Sequence, residues 1–516
     1  MMRQLTELDA SFLYLESETS PMHMGGLYLF DNSDRERPLD FGEFRQYIES
    51  RLHLADFFRQ RLIEVPLQLD HPYWVDDPDF DLDRHLRHVT LEQPGNEPAL
   101  LELAASLLTD LLPRDRPLWE ITFIDGLAAQ EDAPSPFAIL VKVHHAAIDA
   151  ATGEEVMGAL LEFSPEPRSL IPPQPWQPAP LPSKARLLGS AYGSALNTPF
   201  RWASLAKDTL ASAFYAVLVQ RLRKLKLPPA LFSAPRTLFN HPICRERVIG
   251  YVEFPLERFR KLKKSQAELT VNDLVLATCA EALSSFLNSQ QRLPKRPLIA
   301  MSPISVRSKN LRSPTGKQLS AMLISLATDE PDLARRLKKI HDNAVASKIY
   351  GQAISAARLQ ELIPSSMVGL SARIYTEFQL AQRHRPLFNL PITNVPGPQT
   401  PLYLNGARLI RQIGTAPLFD GLGLVLVIVS YNSKITISVT SCPTILPDMD
   451  DFLARFPQAL ENMEKSVEGI DLASLPETEV GGGQALKQPA LLGGAIEDMV
   501  SLFSNLFESF RHRGER

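Results

Sequence analysis

The side chains in this sequence best suited to chemistry are two adjacent histidines, His144 and His145, with Asp149 four residues on. The pair closes a run in which Phe137, Ile139, Val141 and Val143 alternate with Ala138, Leu140 and Lys142. That period of two is the pattern of a β-strand. Successive strand side chains point to opposite faces, so only one imidazole can enter a given cleft. His145 continues the apolar face. Apolar surroundings disfavour the charged imidazole, and a neutral imidazole can take a proton from a hydroxyl group. The divergence of the two rings also makes the pair a poor metal site, and no metal is expected. Asp149 falls just before "TGEE" (Thr152 to Glu155), which reads as a capping box at a helix start. From that place it either orients a histidine through Nδ1–H or pairs with an arginine and locks the turn.

The elements that must position these groups are those of a large folded protein. The chain has 516 residues, 44% of them hydrophobic and 22% charged, within the usual range for globular proteins. Lys plus Arg number 54 and Asp plus Glu 59, a net charge of −5. That balance offers no global attraction to nucleic acid. Three scattered cysteines, Cys244, Cys279 and Cys442, form neither a disulfide framework nor a metal-spaced set, and they fit a reducing compartment. The N-terminus carries Glu7, Asp9 and Glu16 and has no clean apolar run, unlike a signal peptide. The run from Gly421 to Val429 is too short to span a bilayer. A cytoplasmic protein is expected.

Strands and helices interleave over residues 1–164, which form the first lobe. Prolines 165, 167, 172, 173, 175, 178, 180 and 182 then mark an extended connector. The linker and connecting helices occupy 165–239. A helical pattern over 184–226 ends in Arg221, Arg223, Lys224 and Lys226, a segment that either packs between lobes or rests on an anionic membrane. The mixed pattern resumes over 240–475, with a helix at 272–287 and a hairpin whose strands flank the turn Tyr431 to Lys434. Interleaved strands and helices in both halves predict an α/β protein of two lobes with mixed sheets. Glycines 481–483 and 493–494 open a flexible tail, 476–516. In it Ile496, Met499, Val500, Phe503, Phe507 and Phe510 fall at helical spacing. That amphipathic helix docks on the protein body or on lipid.

"HHAAIDA" (His144 to Ala150) resembles the HHxxxDG motif of CoA-dependent acyltransferases with a chloramphenicol-acetyltransferase-like fold. Within that group the chain resembles the bacterial wax ester synthase/acyl-CoA:diacylglycerol acyltransferase family. "LTELDASFLYLES" and "PMHMG" at the N-terminus, "FRQRL" ending at Leu62 and "WVDDPDFDLDRHLRHVTL" from Trp74 fit it in order. So do "RPLWE" (Arg116 to Glu120), "TVNDLVLA" (Thr270 to Ala277), "SPISVR" (Ser302 to Arg307), "TNVPGP" (Thr393 to Pro398) and "SYNSKITISV" from Ser430. The likeness runs from about residue 5 to 470. Two departures stand out. Ala150 replaces the motif glycine, and "SCPTILPD" lacks an early acidic residue after the last strand.

The resemblance implies two chloramphenicol-acetyltransferase-like lobes with a cleft between them. It implies transfer of a fatty acyl group from acyl-CoA to a long-chain fatty alcohol or a diacylglycerol, with acyl-CoA as substrate and no cofactor. His145 would be the general base, supported by His144 and Asp149. Asn272 and Asp273, at a helix start capped by Thr270 or Asn272, would either support an oxyanion or only cap the helix. Trp119 would line an acyl channel or fill the core. Arg307 would pair with a carboxylate such as Asp149 or with a CoA phosphate. Substrates that partition into lipid point to a peripheral place on a membrane or lipid-droplet surface. Other readings are an acyltransferase for another lipid or polyketide alcohol, and a catalytically weak lipid-binding paralogue.

Overall fold

The computed structural model of the chain describes residues 2–147, 156–168, 175–193, 232–266, 268–306, 318–353 and 385–468, with a few single residues besides. Asp149, Ala150, the Thr152–Glu155 box, Arg307, most of the 184–226 segment and the glycine-rich tail lie outside the described residues.

In chain order the strands are β1 (Arg3–Gln4), β2 (His23–Asp31), β3 (Gln60–Ile63), β4 (Tyr73–Asp76), β5 (Leu86–Thr90), β6 (Trp119–Asp125) and β7 (Pro136–His144). Then come β8 (Val248–Pro255), β9 (Ile299–Val306), β10 (Gln318–Ser325), β11 (Leu390–Pro396), β12 (Tyr403–Leu404), β13 (Ala407–Thr415), β14 (Leu424–Tyr431) and β15 (Lys434–Ser441). The principal helices are α1 (Glu7–Leu15), α2 (Phe41–Glu49), α3 (Glu97–Leu107), α4 (Leu256–Ser265), α5 (Val271–Ser289), α6 (Leu333–Ala353) and α7 (Met449–Val467).

Two six-stranded mixed sheets dominate. One has the order β12-β13-β2-β7-β6-β5, the other β10-β9-β11-β14-β15-β8, and β1-β4-β3 form a small third sheet. The first sheet is not built from the first lobe's sequence alone. Strand β13 comes from the stretch that reads as the second lobe, yet it pairs antiparallel with β2, Thr415 opposite Gly25 and Arg408 opposite Asp31. A strand's own pattern says which face is buried but not which strand lies beside it. The exchange ties the two sheets together and places β13 against the neighbour of β7.

Alternation along β7 sorts the two faces of the first sheet. Phe137, Ile139, Val141 and Val143 join the core cluster that includes Leu13, Phe44 and Trp119. Ala138 and Leu140 face a second cluster with Leu100, Ala104 and Leu107 of α3. Strand β2 lies tightly on β7. A Cβ at Gly25 would collide with the carbonyl oxygen of Val141, so only glycine fits there.

In the second sheet, β14 and β15 form the expected hairpin, with Tyr431 opposite Lys434. Helix α5 is buried on nearly every side. Helix α7 is capped by Asp448, whose side chain accepts from the Asp451 N–H. It buries a stripe of Phe452, Phe456, Leu460 and Met463, the spacing of one helix face.

Candidate active site

Strand β7 ends at His144, and His145 opens a short turn of 3-10 helix over His145–Ala147. The backbone N–H of His145 donates to the Met22 carbonyl at 2.7 Å. This bond continues the β2–β7 ladder, in which His23 is paired with His144. The chain changes geometry between the two histidines, and their rings part.

The His145 imidazole stacks on the Phe12 ring, with centroids 3.8 Å apart and planes 19° from parallel. Its pKa is lowered to about 4: burial is the largest cause, its own backbone gives part back, and the neighbouring His144 lowers it further. A ring held neutral in this way is free to accept a proton at neutral pH.

His144 is fully buried on the opposite face. The Ala146 N–H donates to its Nδ1 at 3.0 Å, which assigns the ring proton to Nε2. That nitrogen lies 3.2 Å from Oε1 of Glu16. Glu16 closes α1, its own N–H donating to the Phe12 carbonyl. One helix end therefore supplies both groups that hold the pair, Phe12 on His145 and Glu16 on His144, one turn apart.

Glu16 is the residue that sequence reasoning missed. Its side chain is 4% exposed. Arg114 donates to Oε2 through Nη2 at 2.8 Å and Nε at 3.2 Å. Burial alone would raise its pKa, but His144 and Arg114 together hold the carboxyl down to about 2. His23 is the second missed residue. Its ring lies 6.0 Å from that of His144, and its Nε2 is 3.6 Å from the same Glu16 oxygen. Burial, then Lys142 and His144, lower its pKa to about 3. Lys142, buried on the same face, is matched by Glu120 at 3.1 Å and donates to the Leu107 carbonyl. No spacing rule links position 16 to position 144. The available signal was an acidic residue directly after the apolar run Phe12 to Leu15 at the end of the N-terminal helix.

The remaining candidates fall elsewhere. Trp119 is 2% exposed, packs edge-on against Phe58, stacks on His85 and donates Nε1–H to the Phe58 carbonyl. It sits in the core cluster at the start of β6. Thr270 is the N-cap of α5, and Asp273 completes the box by accepting from the Thr270 N–H and hydroxyl. Asp273 also lies 2.9 Å from Nδ1 of His341 on α6. Hydrogen bonding to Asp273 raises the His341 pKa. Asn272 accepts from the Asn394 amide at 2.9 Å, which joins the start of α5 to β11. Among the described residues no hydrogen bond links Asn272 or Asp273 to either histidine of the pair. A small cavity lined by His23, Arg247, Thr415 and Thr440, among others, marks the seam where the two lobes meet beside the pair.

Comparison with known proteins agrees with this architecture. The wax ester synthase/diacylglycerol acyltransferase catalytic domain profile matches residues 5–275, and the corresponding C-terminal domain profile matches 315–464. A putative diacylglycerol O-acyltransferase of Mycobacterium tuberculosis is 32% identical over 465 residues, covering 90% of each chain. The O-acyltransferase WSD of Acinetobacter baylyi is 30% identical over 480 residues, covering 90% of this chain and 97% of that protein. Among solved structures, the wax ester synthase/diacylglycerol acyltransferase from Marinobacter aquaeolei superposes with a TM-score of 0.62 at 28% identity, covering 90% of this chain and all of the other. The first condensation domain of the calcium-dependent antibiotic synthetase shares the fold, with a TM-score of 0.53 at 15% identity.

Proposed function

The chain belongs to the wax ester synthase/diacylglycerol acyltransferase family, and we propose that His145 is the general base with which it esterifies a lipid alcohol. The enzyme is an O-acyltransferase that moves a fatty acyl group from acyl-CoA to a long-chain alcohol or a diacylglycerol. The observation that carries His145 as the base is the Phe12–His145 stack, which desolvates one imidazole and keeps it neutral.

The alcohol oxygen attacks the thioester carbonyl as His145 takes the hydroxyl proton. The tetrahedral intermediate expels the CoA thiolate, and the imidazolium returns the proton to sulfur. No covalent acyl-enzyme is required, and the two substrates supply all the reacting groups without a cofactor. His144 and Glu16 do not touch the reacting atoms in this scheme. They hold the end of β7 and the turn on which His145 is mounted.

The defining assay is CoA release from palmitoyl-CoA with and without hexadecanol or a diacylglycerol. Release that depends on either acceptor is expected, and the better acceptor names the preferred product. Release that no acceptor stimulates would refute esterification of these alcohols.

The pH dependence follows from the sign of the His145 shift. A base works only when deprotonated, so the acid limb of kcat/KM should fall near pH 4. A free imidazole, with pKa near 6.5, would put it more than two units higher. In Phe12→Ala, where water reaches the ring, the limb should move up towards that value. An acid limb near 6.5 in the wild type would show that the imidazole is not desolvated in the working enzyme.

We further propose a peripheral association with a membrane or lipid-droplet surface. No helix among the described residues is long and apolar enough to cross a membrane. The described start of the connecting segment is helical over 184–193 and leaves Tyr192 exposed beside Leu188, near Lys184 and Arg186. Flotation with anionic vesicles tests the role of the tail: deletion of 480–516 should lower recovery if its amphipathic pattern binds lipid. Undiminished recovery would leave the 184–226 segment as the contact.

A further inference from the structure

Two of the three cysteines meet at the edge of the second sheet. Cys244 lies in the irregular stretch 241–247 that leads into β8 and is partly exposed. Cys442 immediately follows β15, is fully buried, and its carbonyl accepts the Ile445 and Leu446 N–H groups in a turn. The Thr444 hydroxyl joins them. It lies 3.2 Å from the Cys442 sulfur and donates to the Cys244 sulfur at 3.5 Å. The two sulfurs are therefore within two hydrogen-bond lengths of each other. Cys279, by contrast, is fully buried in the middle of α5, where burial pushes its thiol up to about 12.

A cation accompanies the pair. Arg247 is 9% exposed and forms no ion pair among the described residues. Its Nη1 donates to the carbonyls of Cys244 and Arg245 at 2.6 and 2.9 Å. Burial lowers its pKa, and Cys442 and Cys244 act against that shift. The partial exposure of Cys244 admits a small oxidant.

We propose that Cys244 and Cys442 form a redox-active dithiol that closes into an intramolecular disulfide when a peroxide is present. The Cys244 thiolate attacks one peroxide oxygen, giving a sulfenic acid and, after protonation, one water. Cys442 then attacks the sulfenic sulfur, the S–S bond forms, and the second water leaves. Two thiols and one hydrogen peroxide thus become one disulfide and two waters, with two electrons passing from sulfur to oxygen. Rotation of the Thr444 hydroxyl out of the gap and a shift of the irregular 241–247 stretch bring the sulfurs to bonding distance.

The pair also reaches the histidine cluster. The Nη2 of Arg247 donates to the Thr19 carbonyl at 2.7 Å, in the turn between Glu16 and His23. Closing the disulfide moves the backbone that Arg247 grips and disturbs that turn. This consequence rests on the proposed role of the histidine pair, whereas the disulfide itself does not.

The test treats the full chain with hydrogen peroxide and maps its thiols by mass spectrometry of non-reduced peptides. The expected product links the Cys244 and Cys442 peptides within one chain, leaves Cys279 as a free thiol, and reverts with dithiothreitol. Cys244 found as sulfinic acid beside a free Cys442 thiol, or linked only between chains, would overturn the proposal. Ester formation by the same samples is the second readout. A loss of at least twofold that dithiothreitol restores, and that Cys244→Ser escapes, is the expected result. A disulfide that forms with unchanged turnover would keep the site and overturn its coupling to the reaction. Peptide mapping decides the disulfide even if the chain esterifies neither alcohol.

Discussion

Replacing His145 by alanine should lower kcat for acceptor-dependent CoA release by about 10²–10⁴, the usual worth of a positioned general base. That range corresponds to about 3–5 kcal/mol of lost transition-state stabilisation. The melting temperature should change little, because the imidazole makes a ring stack rather than a buried ion pair. His144→Ala should behave differently. It removes the acceptor of the Ala146 N–H and leaves the Glu16 oxygen without its imidazole partner, so activity and thermal stability should fall together. Side-by-side melting curves and kinetics separate the two roles. Full activity in His145→Ala would refute the proposed mechanism, whatever the acceptor preference proves to be.

Glu16→Gln should destabilise the fold by about 2–4 kcal/mol, towards the lower end of the cost of breaking a buried charge pair, because Arg114 is partly exposed. It should also reduce kcat on the order of 10–100-fold if His145 is the proposed base, since a small displacement of such a group is enough for that loss. A pH series identifies the cause. Glu16 is held at about 2 in the folded state against 4.5 for the free group, so its contribution to stability is complete above pH 4.5 and is lost as pH falls towards 2. The difference in stability between wild type and Glu16→Gln should shrink over that window. His23 and His145 act earlier. Their folded values of about 3 and 4 lie below 6.5, so the unfolded chain takes up protons first and stability declines as pH drops below 6.5. An unchanged difference from pH 6 to pH 2.5 would show that the Glu16 charge is not what holds the cluster.

Much of this arrangement was legible in the residue order, where the information is local. The alternation of Phe137 to Val143 specifies a strand and the side on which each residue lies, and the structure has β7 there. The helical spacing after Thr270 gives α5, and the turn after Tyr431 gives the β14–β15 hairpin. Each is a short-range pattern that one element satisfies by itself. The ordered motifs by themselves place the chain in its family, and the prominence of His145 comes from two neighbouring residues and one strand face.

Tertiary contacts decided the rest. Glu16 and His144 are far apart in the chain, and they meet because α1 lies along the end of β7 and β2 returns beside it. Strand β13 joins the first sheet because β2 leaves an edge that needs a partner, although nothing in residues 407–415 names that partner. Trp119, open in sequence to a channel or a core role, lies in the core between Phe58 and His85. Asp273 caps its own helix and meets His341. The sequence by itself could establish the family, the strand that carries the histidines and the acid–base chemistry an imidazole offers. Which histidine is desolvated by an aromatic ring and which is gripped by a carboxylate depends on packing between distant segments, because burial and proximity are properties of the folded neighbourhood and not of the residue.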